Sequence, residues 1–309
     1  MWCTTRFNIR TTTFLIYVND IAKSSNRLLF RLFADDTNIF MSDSNVGRLQ
    51  TVMNTELKKV NQWLKCNFLS LNVSKTKFLL FHYNNDRPQS FHVNINGNKV
   101  EKCSHVKYLG VFIDDKLNFK HHVDTLCTKI SKMIGILSKL RHYANLDILK
   151  QVYYGLVYPH MIYGLIIWGN SNTNRLQNKQ NKIVNIMHFS NYGKAFDPIS
   201  YKRSNLLKLS DICHIQLALF IYDFQAFNLP SIFKNYFTPK RREGMITRGN
   251  NNNYYQEFIR TKFANMCIKT TAVKAWSNVP DNIKKSKTKR SFKKQLQRHI
   301  LRSYGQLNM

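Results

Sequence analysis

The period of the apolar residues changes several times along this 309-residue chain, and each change predicts an element. Across Arg27–Met41 (RLLFRLFADDTNIFM), Leu28, Phe30 and Leu32 alternate, and Ile39-Phe40 begin a second apolar segment after Asp-Asp-Thr-Asn. Alternation interrupted by turn-prone residues predicts a β-hairpin. From Asn45 to Lys65 the period becomes helical. Val46, Leu49, Met53, Leu57, Val60 and Leu64 recur at spacings of three and four, with Ser44 placed to cap the helix. Thr76–Tyr83 then reads as a strand, Asn84–Pro88 as a turn, and Phe91–Val100 as a hairpin about Asn96-Gly97. Val106–Ile113 reads as a further strand ending in a polar turn at Asp114-Asp115, and Phe14–Ala22 fits a helical turn or two.

From His121 onward the pattern is helical. Val123, Leu126, Ile130, Met133, Leu137 and Leu140 form one stripe; Leu146, Leu149, Val152 and Leu156 form a second. Arg175–His188 sets Leu176, Ile183, Ile186 and Met187 against a basic side, and Leu206–Phe227 supplies a long apolar helix or pair. Thr238–Asn253 (TPKRREGMITRGNNNN) is a polar, basic linker. Glu257–Trp276 returns to helix and Ser291–Ser303 is a short basic helix. The predicted class is α+β. Val152–Gly169 carries no charge, and its length is near the lower limit of about 17–25 residues for a membrane span. Pro159-His160 and several tyrosines interrupt it, so a buried helix pair is the expectation and a membrane partner is not.

Charge sharpens this picture. Lys and Arg number 47 against 17 acidic residues, a net +30, which directs the chain toward polyanions. Half of that excess falls in Lys234–Met309, where 18 basic residues meet 3 acidic ones. Lys284, Lys285, Lys287, Lys289, Arg290, Lys293 and Lys294 form a run with no acid among them. Such a run suits phosphate contact by counterion release, without base readout; a nuclear-import signal and a solvated face are the other readings. Phe292 and Tyr304 are too sparse for base stacking. The six cysteines include no Cys-x-x-Cys pair, so reduced, mostly buried thiols are expected, and no zinc site. His121-His122 reads as a helix start. With no secretory leader in view, the location expected is nucleus or cytoplasm.

Asp35-Asp36 is the sharpest chemical feature. Two carboxylates ~4 Å apart repel by about 4 kcal/mol at an effective dielectric of about 20. Solvation of the turn relieves this, and so does a divalent cation between the carboxylates. Two-metal phosphoryl transfer uses the second arrangement. The residues alone leave both open. Asp114-Asp115 is a second pair, with Lys116 beside it, and reads as a solvated turn.

Several motifs in order resolve the choice toward a family. FADDTNIF (33–40) resembles the catalytic box of non-LTR retrotransposon reverse transcriptases of the jockey-like, LINE type. Phe14–Ile21 resembles the helix before that box, Leu69–Phe78 (LSLNVSKTKF) the family's LxLNxxKTK segment, and Val106–Val111 (VKYLGV) its YLGV hairpin. Ala275–Pro280 and Ser291–Lys293 are similar to the family's ending.

The resemblance spans roughly Phe14–Tyr304 and implies RNA-templated DNA synthesis with Mg²⁺, on RNA and DNA. It implies that Asp35 and Asp36 hold metal and catalyse, that Lys75 and Lys77 lie near the incoming nucleotide, and that Tyr108, Leu109 and Gly110 form the primer grip. It implies a partial palm of antiparallel strands with a helix (1–118), a helical thumb (119–236) and a basic linker and tail (237–309). Met1–Thr13 shows neither the acidic strand nor the Gln-Gly-Ser turn of the family's first palm half. The expectation is therefore a truncated polymerase lacking its N-terminal polymerase and endonuclease parts and inactive alone; the alternative is a non-catalytic basic RNA/DNA-binding remnant.

Overall fold

Alternation at Leu28–Leu32 becomes an antiparallel hairpin in the computed structural model, β1 (Leu29–Phe33) with β2 (Asp36–Phe40). The structure describes residues 11–82, 91–189, 199–240, 254–256, 259 and 261–304. The turn read at Asn84–Pro88 and most of the linker read at Thr238–Asn253 lie outside them. The architecture is mixed α and β, mostly helical, with small sheets of two strands each among the described residues. The chain divides into two units, Met1–Tyr108 with Asp114–Lys116, and Leu109–Ile113 with Leu117–Met309.

In the first unit α1 (Thr11–Val18) and a 3-10 turn (Asn19–Ser24) precede the hairpin, and α2 (Val46–Cys66) follows it. Leu28 and Phe30 pack with Val18, Ile21, Val60, Leu64 and Leu69, because alternate strand positions and a helical stripe meet on one side. A second small cluster joins Leu57 to Leu80, Phe91, Val93, Ile95 and Val100. Asn45, not Ser44, caps α2, with its side chain accepting from Arg48 N at 2.9 Å. Asp43 holds the Arg48 guanidinium at 2.7 Å, which draws its carboxyl down to about 2. Glu56 is buried among the apolar stripe; Ser25 Oγ donates to it at 2.7 Å and Lys59 at 2.8 Å.

The predicted strand at Thr76–Tyr83 is much shorter. Among its described residues only β3 (Lys77–Phe78) forms, parallel to β6 (Glu101–Lys102). The hairpin about Asn96-Gly97 joins β4 (Asn94–Ile95) and β5 (Asn98–Lys99), and both turn residues have positive φ, as the two-residue turn requires. Strands β7 (His105–Tyr108) and β8 (Val111–Asp114) flank a tight turn at Leu109-Gly110. Asp114 is not solvated: it is buried, and its Oδ1 accepts from Lys116 N at 3.2 Å.

The second unit is a helical body around a single large cluster of buried residues. Its helices are α3 (Lys120–Leu140), α4 (Leu146–Val152), α5 (Tyr158–Ile162), α6 (Leu165–Trp168), α7 (Asn174–Met187), α8 (Ile199–Ser204) and α9 (Leu209–Gln225). They continue with α10 (Lys262–Met266), α11 (Ile268–Ser277), α12 (Asp281–Lys284) and α13 (Lys289–Ser303). The uncharged stretch at 152–169 is broken into a π-turn (Tyr153–Val157), α5 and α6, and no helix among the described residues is long and apolar enough to cross a membrane. The extra residue of the π-turn rotates the buried face. Leu149, Tyr153, Val157 and Met161 are buried, and Leu156, expected inside, is exposed. Cys127 and Cys213 are buried and Cys66 is exposed; the five described cysteines are all free. Burial pushes the Cys213 thiol up to about 12.

Candidate active site and nucleic-acid interface

Asp35 and Asp36 sit where the hairpin reverses. Phe33 pairs with Asp36 across it, leaving Ala34 and Asp35 as the turn, with Ala34 at φ 49°. Both aspartates are exposed. The hairpin has two unlike faces. Phe30, Leu32 and Ile39 face the small core, while Leu29 and Phe40, paired opposite one another, and Phe33 are exposed at 50%, 42% and 60%. Asp36 shares that outer face with Phe33. The site is therefore two carboxylates at the tip of a strand pair, beside an uncovered apolar strip.

Their fit to a hard cation is partial. Mg²⁺ takes oxygen ligands in near-octahedral geometry, and a carboxylate pair supplies the right atom type. Among the described residues no group of three or more His, Cys, Asp or Glu side chains comes together to hold a metal. Two carboxylates alone do not make a complete ligand set for Mg²⁺.

The other residues read as site residues lie on separate elements. Lys75 ends a 3-10 turn (Val73–Lys75), where its N–H is held by Asn72, and it is exposed. Lys77 on β3 is ion-paired with Glu101 at 3.1 Å. That pairing follows from the strand register, which sets Lys77 opposite Glu101. Leu109 and Gly110 both have positive φ, 44° and 86°, which makes the turn between β7 and β8. Tyr163 supports it: its hydroxyl donates to the Leu109 carbonyl at 2.6 Å. No sequence signal links Tyr163 to that turn, since the two lie 54 residues apart.

The basic run is sorted by its packing. Lys284 is buried, lies over the Trp276 ring at 5.6 Å and approaches Asp281 at 3.4 Å. Lys289 pairs with Asp223 at 2.5 Å. Lys285, Lys287, Arg290 and Lys294 are exposed and Lys293 is half-buried. Two of the seven basic side chains are thus engaged by acids of the fold. The exposed basic surface also runs further than the run itself, through Arg298 and Arg302.

Comparison with known proteins bears on residues 8–113, which match the family model described as reverse transcriptase (RNA-dependent DNA polymerase). The chain is 26% identical over 164 residues to a Drosophila melanogaster protein named probable RNA-directed DNA polymerase from transposon BS, covering 51% of this chain and 18% of that one. It is 24% identical over 164 residues to the RNA-directed DNA polymerase from mobile element jockey of the same fly, covering 51% and 18%. A Bradysia coprophila Pol polyprotein from the type-1 retrotransposable element R1 is 27% identical over 141 residues, covering 44% and 14%. The chain thus spans less than a fifth of the length of these relatives. No solved structure matches.

Proposed function

We propose, from the premise that residues 8–113 carry reverse-transcriptase domain sequence of the non-LTR retrotransposon type, that this chain is a portion of an RNA-directed DNA polymerase. The observation that carries the reading is the family match over residues 8–113, which includes a hairpin that presents Asp35 and Asp36 at its tip. The family reaction joins a primer 3′-oxygen to a deoxynucleotide α-phosphate on an RNA template and expels pyrophosphate. Positioning and electrostatics supply most of the acceleration in phosphoryl transfer. In this reading Asp35 and Asp36 are two of the carboxylates that hold Mg²⁺, Lys75 and Lys77 lie beside the incoming nucleotide, and the Tyr108–Gly110 turn steadies the primer end. The first unit is a partial palm and the helical body a thumb with a basic C-terminal region. A further carboxylate and the other wall of the nucleotide pocket come from polymerase segments outside these residues. Alone, the chain binds polynucleotide and does not extend a primer.

Primer extension on an RNA template, with Mg²⁺ and with Mn²⁺, tests the reading. The expected result is no extension by the chain, and extension once the missing polymerase segments are supplied from a relative. Asp35→Asn then abolishes synthesis and leaves RNA affinity unchanged. Extension by the lone chain, lost in Asp35→Asn, makes it an enzyme by itself and overturns its incompleteness. Full activity of Asp35→Asn in the complemented enzyme removes the hairpin from catalysis.

The second reading, a basic polynucleotide-binding remnant with no catalysis, is favoured by the exposed cations Lys285, Lys287, Arg290 and Lys294. Engagement of about six phosphates of a single strand gives a slope of log K against log[salt] near −4, with little sequence preference. A complemented chain that binds with that slope yet never extends a primer selects this second reading.

A further inference from the structure

Helix α13 is pinned at both ends to α9. Asp223 near the end of α9 pairs with Lys289 at the start of α13 at 2.5 Å, and Asp211 near the start of α9 accepts the Tyr304 hydroxyl just beyond α13. Matching the end of one helix to the start of the other makes the pair antiparallel. Between the pins, Phe292 stacks on Trp276 with ring centroids 5.7 Å apart, lies 5.0 Å from the Tyr222 ring and is fully buried, as is Leu296. The apolar face of α13 is spent on the core, and both aspartates of α9 are spent on its ends.

The opposite face carries Arg290, Lys294, Arg298 and Arg302, all exposed. They recur every fourth residue, so they form one row with a rise of about 6 Å between neighbours and about 18 Å overall. No acidic residue follows Asp281 in the chain. Like charges at this spacing destabilise a helix by ~0.2–0.5 kcal/mol per pair, so the row works against α13 until a polyanion neutralises it. Its spacing is of the same order as that of successive phosphates along a strand.

We propose that this row on α13 is a binding track for the sugar-phosphate backbone of a nucleic-acid strand. Phosphates lie along Arg290, Lys294, Arg298 and Arg302, and the bases point away unread. No aromatic side chain shares the row, so recognition is by charge alone. An anionic bilayer is the other extended polyanion, but a basic amphipathic helix binds one by inserting its apolar face. Here Phe292 and Leu296 are already buried. The proposal rests on the polynucleotide-binding reading above and changes its residues: Arg298 and Arg302 join Arg290 and Lys294, while Lys285 and Lys287, which precede α13, leave.

The test is salt-dependent binding of the full chain to labelled mixed-sequence single-stranded RNA and DNA. Three proteins are compared: the parent, a track variant (Arg290→Gln, Lys294→Gln, Arg298→Gln, Arg302→Gln), and a control with the same charge change (Lys58→Gln, Lys99→Gln, Lys129→Gln, Lys132→Gln). The track variant is expected to flatten the salt slope by about 3, at about 0.7 for each phosphate no longer neutralised, and the control to flatten it by less than about 1. Equal flattening in both variants, or a parent slope kept by the track variant, overturns the track and leaves the polynucleotide reading standing. Absence of binding by the parent overturns both. Retention of phosphatidylserine vesicles by the parent, abolished in the track variant while oligonucleotide binding is unchanged, assigns the row to membrane instead and overturns the proposal. A second measurement needs no variant: bound oligonucleotide should protect Lys294 of the parent from an amine-reactive reagent while Lys129 stays reactive. Equal protection of the two lysines also overturns the proposal.

Discussion

Gly110 and Tyr163 meet so closely that a methyl group on the glycine would lie 3.0 Å from the tyrosine ring. The same ring sends its hydroxyl to the Leu109 carbonyl at 2.6 Å. The turn is therefore fixed twice, by a positive φ that a side chain resists and by a ring that fills the space a side chain would need. Gly110→Ala should cost about 1–3 kcal/mol. Gly155→Ala is the matched control, because nothing lies within 4 Å of a methyl group there. Alanine there should be neutral or stabilising by up to ~1 kcal/mol. Urea midpoints check the pair; equal midpoints for the two variants would show that the turn is not constrained.

His122 makes stability depend on pH. It is buried against Trp168, ring centroids 5.2 Å apart, and its Nδ1 accepts from Phe112 N at 3.3 Å. Burial, with smaller contributions from Lys129 and His121, lowers its pKa from 6.5 to about 4. Above pH 6.5 the imidazole is neutral whether the chain is folded or not, and its contribution is complete. Between 6.5 and about 4 the unfolded chain takes up a proton that the folded chain refuses, so stability falls as pH falls. Below that window both states are protonated and the decline stops. His122→Asn should flatten stability between pH 7.5 and 4.5 in urea titrations. A variant with the same pH slope as the parent would place the dependence on other groups.

What the sequence made legible followed from periodicity. The stripe from Val123 to Leu140 and the Asn96-Gly97 turn needed only spacing and turn chemistry, and both formed. The hairpin bearing Asp35 was legible for the same reason. What stayed hidden depended on partners distant in sequence. Leu156 reads as core at helical spacing, but a π-turn inserts one residue and hands its place to Val157. Lys284 reads as one more phosphate-contacting cation of the basic run, yet Trp276 and Asp281 take it inward. Tyr163 carries no local signal of its bond to Leu109. Composition could announce the charge of the C-terminal region, and only packing could sort which cations face out.

Hydrogen exchange should separate the two units. The second has one large buried cluster that includes Ile130, Leu137, Ala218 and Ile221 at 0–1% exposure. Among the described residues the β1–β2 hairpin is a lone strand pair, with Leu29, Phe33 and Phe40 exposed on its outer side. Two-stranded sheets are marginal without further cover. Amides of α3 and α9 should therefore exchange slowest, and those of Phe30–Ile39 much faster. Equal protection of Leu28–Phe40 and Leu126–Leu140 would show that the hairpin's small core suffices.

Gln180 is a polar side chain only 1% exposed in the middle of the helical body. Its Nε2 donates to the Tyr153 hydroxyl at 2.9 Å and to the Leu207 carbonyl at 2.8 Å, and its Oε1 accepts from Leu209 N at 2.9 Å. One amide thus joins the π-turn, α7 and the start of α9. Gln180→Leu keeps the volume and removes every partner. Leu209 N retains the Gln177 oxygen at 2.9 Å, so the groups that suffer most are the Leu207 carbonyl, which loses the amide donor, and the Tyr153 hydroxyl oxygen, whose proton keeps the long contact to Met161 Sδ at 3.9 Å while its lone pairs lose their donor. Each buried polar group left without a partner costs about 1–3 kcal/mol, whereas removing both sides of a hydrogen bond can be nearly neutral. Gln180→Leu alone should therefore lower stability by about 2–5 kcal/mol. Adding Tyr153→Phe should recover part of that deficit, a positive coupling that a double-mutant cycle reads directly. Strictly additive effects would mean that the amide and the phenol do not act as a pair, and that the helical body is held by its apolar packing alone.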